Sequence, residues 1–339
     1  MSEINSAPAG RKLTIVIKAL NEESRIAVAI ESALKAVSPF DGEVILADSY
    51  SSDRTIEIAQ SYPIGIVQLV DPNERCCGIG PQLGFQYSVG EYVYILDGDM
   101  EILPGFMDKA VSFLDANPAF AGVGGKVLEM NTDSLEYIAR TERSSEHMRD
   151  GEVDRLDMGG LYRRSSIDQV GYFSNRNLHS YEEYDLGVRL RAEGWKLQRI
   201  DVQSVRHYGH YSDPYLLLLR RWNSGYICGL GETIHAAWGK KHFIFLLTEV
   251  RELKIYFATL CWLFFCFFLV ILSISGVISQ IYLIVILLLP LFVMTIKKKS
   301  ISKGIYSIVS WIANSAGLIR GLLHKQTSCN LPIKSMVIK

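Results

Sequence analysis

LTIVIKALNEESRIAVAIESAL, residues 13–34, sets the pattern from which the rest of the chain is read. A β-branched run, Leu13 to Lys18, is followed by the polar pair Asn21-Glu22 and then by an amphipathic stretch, Glu23 to Val37. Working outward, the same alternation recurs: Glu43 to Asp48, Ile64 to Val70 and Tyr92 to Leu96 read as strands, Asp53 to Ser61 and Pro104 to Ala116 as helices. Strands alternating with helices predict an α/β domain built on a mainly parallel mixed sheet covered on both faces. Ligands of such sheets sit at the carboxyl ends of the strands. The clusters Asn21-Glu22, Asp48 to Asp53 and Asp97 to Asp99 all fall there. Farther on, Gly122 to Leu128 and Leu156 to Arg163 read as strands, Ser134 to Arg149 and Tyr181 to Gly194 as helices. No linker interrupts them, so 13–212 is read as one domain behind a flexible N-terminus, 1–12.

The character of the chain changes near residue 250. Juxtamembrane helices are expected over 213–254, and Ile255 to Ile296 is a run of 42 residues without Asp, Glu, Lys, Arg or His. As a helix it would extend about 63 Å at 1.5 Å per residue, about twice the apolar thickness of a bilayer. Ser273, Ser275, Gly276, Ser279 and Gln280 break it near its middle, which predicts a transmembrane helical hairpin. Arg251 and Lys254 precede it and Lys297, Lys298, Lys299 and Lys303 follow it, while the turn carries no charge. Both ends are therefore expected in the cytoplasm, with the N-terminal domain on the cytoplasmic face of the inner membrane. In the last segment, 297–339, apolar residues at Ile301, Ile305, Ile308, Ile312, Ala316, Ile319 and Leu323 form an amphipathic helix, read as interfacial, with a third span as the alternative.

Several function classes are excluded by composition. A formal net charge of -1 and the lack of a basic stripe with interleaved aromatics argue against nucleic-acid binding. The six cysteines show no metal-ligand spacing, and two lie in the apolar run, so neither a zinc site nor a disulfide framework is expected. Met1 to Arg11 is polar, with no sign of a secretory signal.

Chemistry concentrates in Tyr92 to Met100, YVYILDGDM, where an apolar strand ends in two carboxylates separated by one glycine. Two hard oxygen ligands can hold a Mg²⁺ or Mn²⁺ ion that accepts the oxygens of a diphosphate. Asn21 and Asp53 each stand before a helix and could cap it or meet a ligand. Asp48 ends a strand where no helix begins, which favours ligand contact. Ser180 to Glu183 reads equally as a capping box.

With its neighbours, this motif resembles glycosyltransferase family 2, whose members share the GT-A fold, a Rossmann-like α/β architecture. The resemblance is carried by Leu13 to Leu34, by VILADSYSSDRT at 44–55, by Gly84 to Asp99, and by Gly159 to Arg163 with YEEYDLGVRLRAEG at 181–194. It implies a membrane-anchored, bacterial-type enzyme that transfers a sugar, with inversion, from a nucleotide sugar such as a UDP-sugar. The membrane hairpin adds the expectation that the acceptor is a hydroxyl of a lipid-linked, polyprenyl-type saccharide in cell-surface glycan assembly. It further implies donor contacts at Asn21, Glu22, Asp48, Asp53 and Asp97, a divalent cation on Asp99, Asp97 and His207, and a general base at Glu183 beside Glu182. His207 could equally be an ordinary surface histidine, and His210 lies close by. Three departures stand out: Lys18 replaces a common proline, Pro81-Gln82 stand where Arg-Asn is frequent, and Leu218 precedes Arg221-Trp222 where processive synthases carry glutamine. Two rival readings stay open, a polyprenyl-phosphate sugar synthase, which needs no base, and a catalytically silent membrane scaffold.

Overall fold

The structure, a computed structural model, describes residues 12–131, 146–209, 213–277 and 279–339. These fall into two units, one running to Ser212 and including Gln326–Lys339, the other Asp213–Lys325.

The first unit opens with β1 (Leu13–Ala19), α1 (Ile26–Val37), β2 (Glu43–Asp48), α2 (Thr55–Gln60), β3 (Gly65–Leu69), α3 (Ile79–Tyr87) and β4 (Tyr92–Asp97). It continues with β5 (Met100–Ile102), α4 (Phe106–Ala116), β6 (Phe120–Glu129), β7 (Gly151–Val153) and β8 (Gly160–Arg163). The helices α5 (Arg164–Val170) and α6 (Glu182–Ala192) then precede a long strand, β9 (Lys196–His207). The sheet order is β10-β3-β2-β1-β4-β8-β6-β9-β5, with β7 beside β9 and β10 formed by Ser335–Val337. β3, β2, β1 and β4 run parallel, as the alternation predicts. β8 then enters antiparallel between β4 and β6, and β9 lies parallel to β6, which makes the sheet mixed.

The alternation of side chains along β1 explains the two faces. Leu13, Ile15, Ile17 and Ala19 pack under α1 and α4, against Ile26, Ile30, Phe106 and Ala110. Val16 faces the opposite layer with Ile79, Leu83, Leu186 and Leu190 of α3 and α6. Burying both faces of a parallel sheet removes its apolar strands from water, the dominant favourable term in folding.

Three expectations are corrected, and a fourth lies largely outside the described residues. The strand expected from Leu156 starts only at Gly160, because Met158 and Gly159 both take positive φ, a turn conformation. The helix expected over Ser134 to Arg149 lies largely outside the described residues, and Glu146–Met148 forms one 3₁₀ turn. Ser180 does not open a capping box: the helix begins at Glu182, and Tyr181, with φ 69°, is its N-cap residue without a side-chain cap. Finally, 326–339 is more than a tail. Ser335–Val337 pairs antiparallel with β3, and Ile333 is buried in the sheet's second layer, so this segment covers an otherwise open strand edge.

The second unit holds α7 (Pro214–Asn223), α8 (Gly229–Ala237), α9 (Phe243–Glu249), α10 (Arg251–Ile274), α11 (Gln280–Lys298) and α12 (Ile301–Leu322). Among the described residues α10 and α11 are long and apolar enough to cross a membrane, by length and composition. They are the two arms of the expected hairpin. α12 packs through its small residues: a Cβ at Gly321 would collide with the Cys228 carbonyl, and one at Gly317 with Ile227. Its apolar stripe at Ile301, Ile305, Ile312 and Ile319 stays exposed.

Candidate functional site

Two groups of polar side chains stand at the carboxyl ends of the strands, and they differ in how fully they are partnered. The first joins the β1–α1 turn to the β2–α2 turn. Asp48 is 0% exposed and faces inward. Its Oδ2 accepts from Ser51 N at 2.8 Å and Gln68 Nε2 at 2.9 Å, its Oδ1 from the Ser51 hydroxyl at 2.5 Å. Asn21, with φ 59°, caps no helix; its Oδ1 accepts from Ser52 N at 2.8 Å while its own N–H donates to Ser51 Oγ at 2.9 Å. Asp53 accepts from Thr55 N and from Glu23 N, both at 3.0 Å. Burial pulls the Asp53 carboxyl upward, but hydrogen bonds from the Thr55 side chain and the Glu23 backbone outweigh it and hold its pKa below the usual value.

Asn21, Asp48 and Asp53, the residues expected on the donor side, are thus joined in one hydrogen-bonded network of the two turns. Their oxygens hold the two turns in shape, while Tyr50 and the exposed Asn21 lie on the outer surface of the turns. Arg75 lies against that surface, donating Nε–H to Ser49 O at 2.9 Å, with its guanidinium 5.3 Å from the Tyr50 ring centroid.

The second group gathers around the end of β4. Parallel register pairs Lys18 of β1 with Asp97, so adjacent strands present both side chains together. Lys18 Nζ lies 3.1 Å from Asp97 Oδ1, 3.7 Å from Glu182 Oε1 and 3.8 Å from Glu183 Oε1. One pocket is lined by these four residues with Pro81, Tyr162, Ser174 and Phe173. The two glutamates are not equivalent. The Glu182 side chain is 9% exposed, that of Glu183 33%, so Glu183 is the one an incoming group can reach. Burial, then the neighbouring Glu182 charge, pushes the Glu183 carboxyl well above the usual range, against the pull of Lys18. Burial raises Glu182 as well, with Lys18 opposing. For Lys18 itself burial works downward, but Asp97, Glu183 and Glu182 prevail and hold the ammonium well above its ordinary pKa. Behind the pocket, Arg189 donates to Asp185 Oδ2 at 2.8 Å and to the Tyr172 and Phe173 carbonyls, which fixes α6 on the loop that lines it.

Beyond Gly98 the chain turns to Asp99 and β5. A Cβ at Gly98 would lie 2.8 Å from Glu22 Cγ, so glycine there lets Glu22 pack on the turn. Glu22 therefore belongs with this acidic edge. Burial first, then the Asp99 and Asp97 charges, pushes its pKa up to about 7, and its buried Oε2 has no hydrogen-bond partner. Asp99 Oδ2 stands 3.3 Å from His207 Nε2, and His207 Nδ1 lies 2.7 Å from Glu129 Oε2. His207 is pushed up to about 9: burial works against it, and its hydrogen bonds to Asp99 and Glu129 win. A carboxylate oxygen and an imidazole nitrogen side by side, next to carboxylates carrying excess negative charge, fit a Mg²⁺ or Mn²⁺ ion that takes its remaining ligands from water and phosphate.

The expected residues thus divide. Asp97, Asp99, His207, Glu22, Glu182 and Glu183 gather at the β4 end, while Asn21, Asp48 and Asp53 form the turn network. His210 lies outside the described residues. Lys18, Glu129 and Arg75 went unrecognised. Lys18 stood out only as a departure from the family pattern with no bearing on the carboxylates; its register with Asp97 was the available signal. Glu129 had none, because its pairing with His207 depends on β6 lying beside β9.

The sequence pattern described as Glycosyl transferase family 2 matches residues 14–171. That match ends before Glu182, Glu183 and His207, whose roles rest on geometry. The chain is 23% identical over 291 residues to the probable glucomannan 4-beta-mannosyltransferase 11 of Arabidopsis thaliana, covering 75% of this chain and 64% of that protein. It is 26% identical over 201 residues to the putative glycosyltransferase EpsE of Bacillus subtilis, covering 57% of this chain and 70% of EpsE. The crystal structure of S. aureus TarS 1–349 in complex with UDP-GlcNAc superposes with a TM-score of 0.49 at 15% identity, covering 93% of both chains. The chain spans less than two thirds of the mannosyltransferase, 64%.

Proposed function

Because residues 14–171 make this chain a member of glycosyltransferase family 2, we propose that it transfers a hexosyl group, with inversion, from a nucleoside-diphosphate sugar, a UDP-sugar, to a hydroxyl of a membrane-held, polyprenyl-linked saccharide. One observation carries this reading: Asp97 and Glu183 converge across Lys18 on a single pocket. Sugar transfer needs a donor-side carboxylate edge and an acceptor-side base, and Asp97 and Glu183 both line this pocket. The nucleoside lies along the turns at 21–22 and 48–53, whose internal hydrogen bonds fix their backbone before the donor arrives.

Glu183, at the accessible rim, takes the proton from the acceptor hydroxyl as it attacks. A base whose pKa is raised toward the working pH is the more effective proton acceptor. Lys18 keeps the crowded carboxylates from being neutralised by protons and holds Asp97 in place. Asp99 and His207 are the residues that would hold a divalent cation, which when bound supplies positive charge to the departing diphosphate. α10 and α11 hold the enzyme in the inner membrane with its catalytic unit on the cytoplasmic side, and confinement with a lipid-linked acceptor raises the effective concentration without tight binding.

Membranes containing the protein, incubated with a panel of radiolabelled nucleotide sugars, test this. Label entering the lipid fraction for one donor, and falling to background in Asp99→Asn and in Glu183→Gln, is the expected result. Undiminished transfer in Glu183→Gln would point instead to a phosphate acceptor that needs no base. Absence of transfer from any donor would leave the scaffold reading standing.

A further inference from the structure

Glu129 takes no part in the chemistry described so far, yet the fold places it with care. The parallel register of β6 and β9 sets Glu129 directly beside His207, and the antiparallel register of β5 and β9 sets Met100, the residue after Asp99, opposite the same histidine. Further backbone bonds tie the three segments together: Met130 N–H donates to His207 O at 2.9 Å, and Tyr208 N–H to Asp99 O at 3.1 Å. The Glu129 side chain is 8% exposed and its Oε2 meets His207 Nδ1 at 2.7 Å. Gly209 makes room for both, since a Cβ there would lie 3.0 Å from His207 Cε1 and 3.4 Å from Glu129 Oε1. The ring is thus gripped at Nδ1 and presents Nε2 at the edge where Asp99 Oδ2 stands 3.3 Å away.

We propose that Glu129 is a positioning residue for the divalent-cation site: by accepting the Nδ1 proton of His207 it fixes the tautomer and ring orientation that direct the Nε2 lone pair, together with Asp99, at the cation. This rests on the metal-assisted reading above and adds to it a residue that touches neither cation nor substrate. An imidazole that ligates a metal through one nitrogen must carry its proton on the other, and an acceptor there selects the productive tautomer of two nearly equal ones. Two side chains that can ligate, one in the turn before β5 and one at the end of β9, gain from such an orienter because neither has to reorganise when the cation arrives.

The test uses the full-length protein in detergent with Mn²⁺ alone, read by electron paramagnetic resonance for free Mn²⁺ and by electron spin-echo modulation for bound ¹⁴N. Wild type is expected to bind Mn²⁺ with a histidine nitrogen in its shell, and His207→Ala to lose that signal. Glu129→Leu is expected to weaken Mn²⁺ binding by about 10- to 100-fold. Glu129→Gln, whose amide oxygen still accepts the Nδ1 proton, is expected to stay within about threefold of wild type, which a requirement for charge or for mere folding would not produce. Thermal unfolding without metal checks that each variant is folded, and the glutamine variant carries the test if the leucine variant is not. Wild-type affinity in folded Glu129→Leu, or a loss in Glu129→Gln as large as in the leucine variant, would overturn the proposal while leaving the metal reading intact. Failure of wild type to bind Mn²⁺, or binding indifferent to Asp99→Asn, would remove the metal reading and this proposal with it.

Discussion

The two polar regions at the strand ends hold similar residues under opposite conditions. Around Asp48, Asn21 and Asp53, each carboxylate or amide oxygen meets a donor from the adjoining turn, and the Asp53 pKa is lowered. Around Lys18, three carboxylates share one ammonium, and the Glu183 pKa is raised. Satisfied oxygens build shape, because hydrogen bonds to an ionised group stabilise it where it stands. Under-compensated charges are held ready for a ligand, because a buried carboxylate without enough partners gains when a proton or cation arrives. Motif position alone does not separate the two, since both regions lie at the strand ends.

Substitutions can break or sharpen that contrast. The largest effect is expected at Glu183: the glutamine variant should transfer sugar about 10³-fold more slowly with donor binding unchanged, the scale of a lost general base. Initial rates and equilibrium donor binding on the same membranes measure it. Lys18→Met should lower the transfer rate by about 10- to 100-fold, while Lys18→Arg, which keeps the charge, should recover most of it. Equal losses in the two would mean that Lys18 matters for its shape alone. In the turn network the effect should fall on stability. Asp48→Asn replaces one of the two buried oxygens that accept three hydrogen bonds with an NH₂ donor and should cost about 1–3 kcal/mol in denaturant unfolding. An unchanged unfolding midpoint with abolished nucleotide binding would instead make Asp48 a direct donor contact. Asn21→Ala should be mildest, about 1 kcal/mol, since it loses only exposed hydrogen bonds, those that its Oδ1 accepts from the Ser52 N–H and hydroxyl.

How much of this was legible in the sequence follows from how local each feature is. β1 to β4 with α1, α2 and α4 could be read because apolar periodicity and polar strand ends are properties of short windows. The β8–β6–β9 arrangement could not, since antiparallel insertion between distant strands leaves no local mark. The same holds for Glu129 beside His207 and for Ser335–Val337 on β3. Lys18 is the instructive miss. As a departure from a family motif it looked incidental, yet one residue of register places it among Asp97, Glu182 and Glu183. The Ser180 to Glu183 capping box failed for the converse reason: its spacing was right, but Tyr181 takes the left-handed conformation and the helix starts one residue after it.

Acid should separate the two regions in one experiment. Asp53, held below its ordinary pKa, contributes stability that is present above the unfolded value and is lost only as pH falls through the lowered one. Glu183, held well above its ordinary pKa, can act as a base only at pH above that raised value, so transfer should fail first, while the protein is still folded. Lys18 opposes that rise, so removing its charge should move the failure to higher pH. The decisive measurement is the transfer rate against pH for wild type and Lys18→Met, with folding followed in parallel. The account predicts an acid limb above the ordinary glutamate range, displaced upward in Lys18→Met, in a protein that stays folded throughout. Superimposable limbs in the ordinary carboxylate range would contradict it.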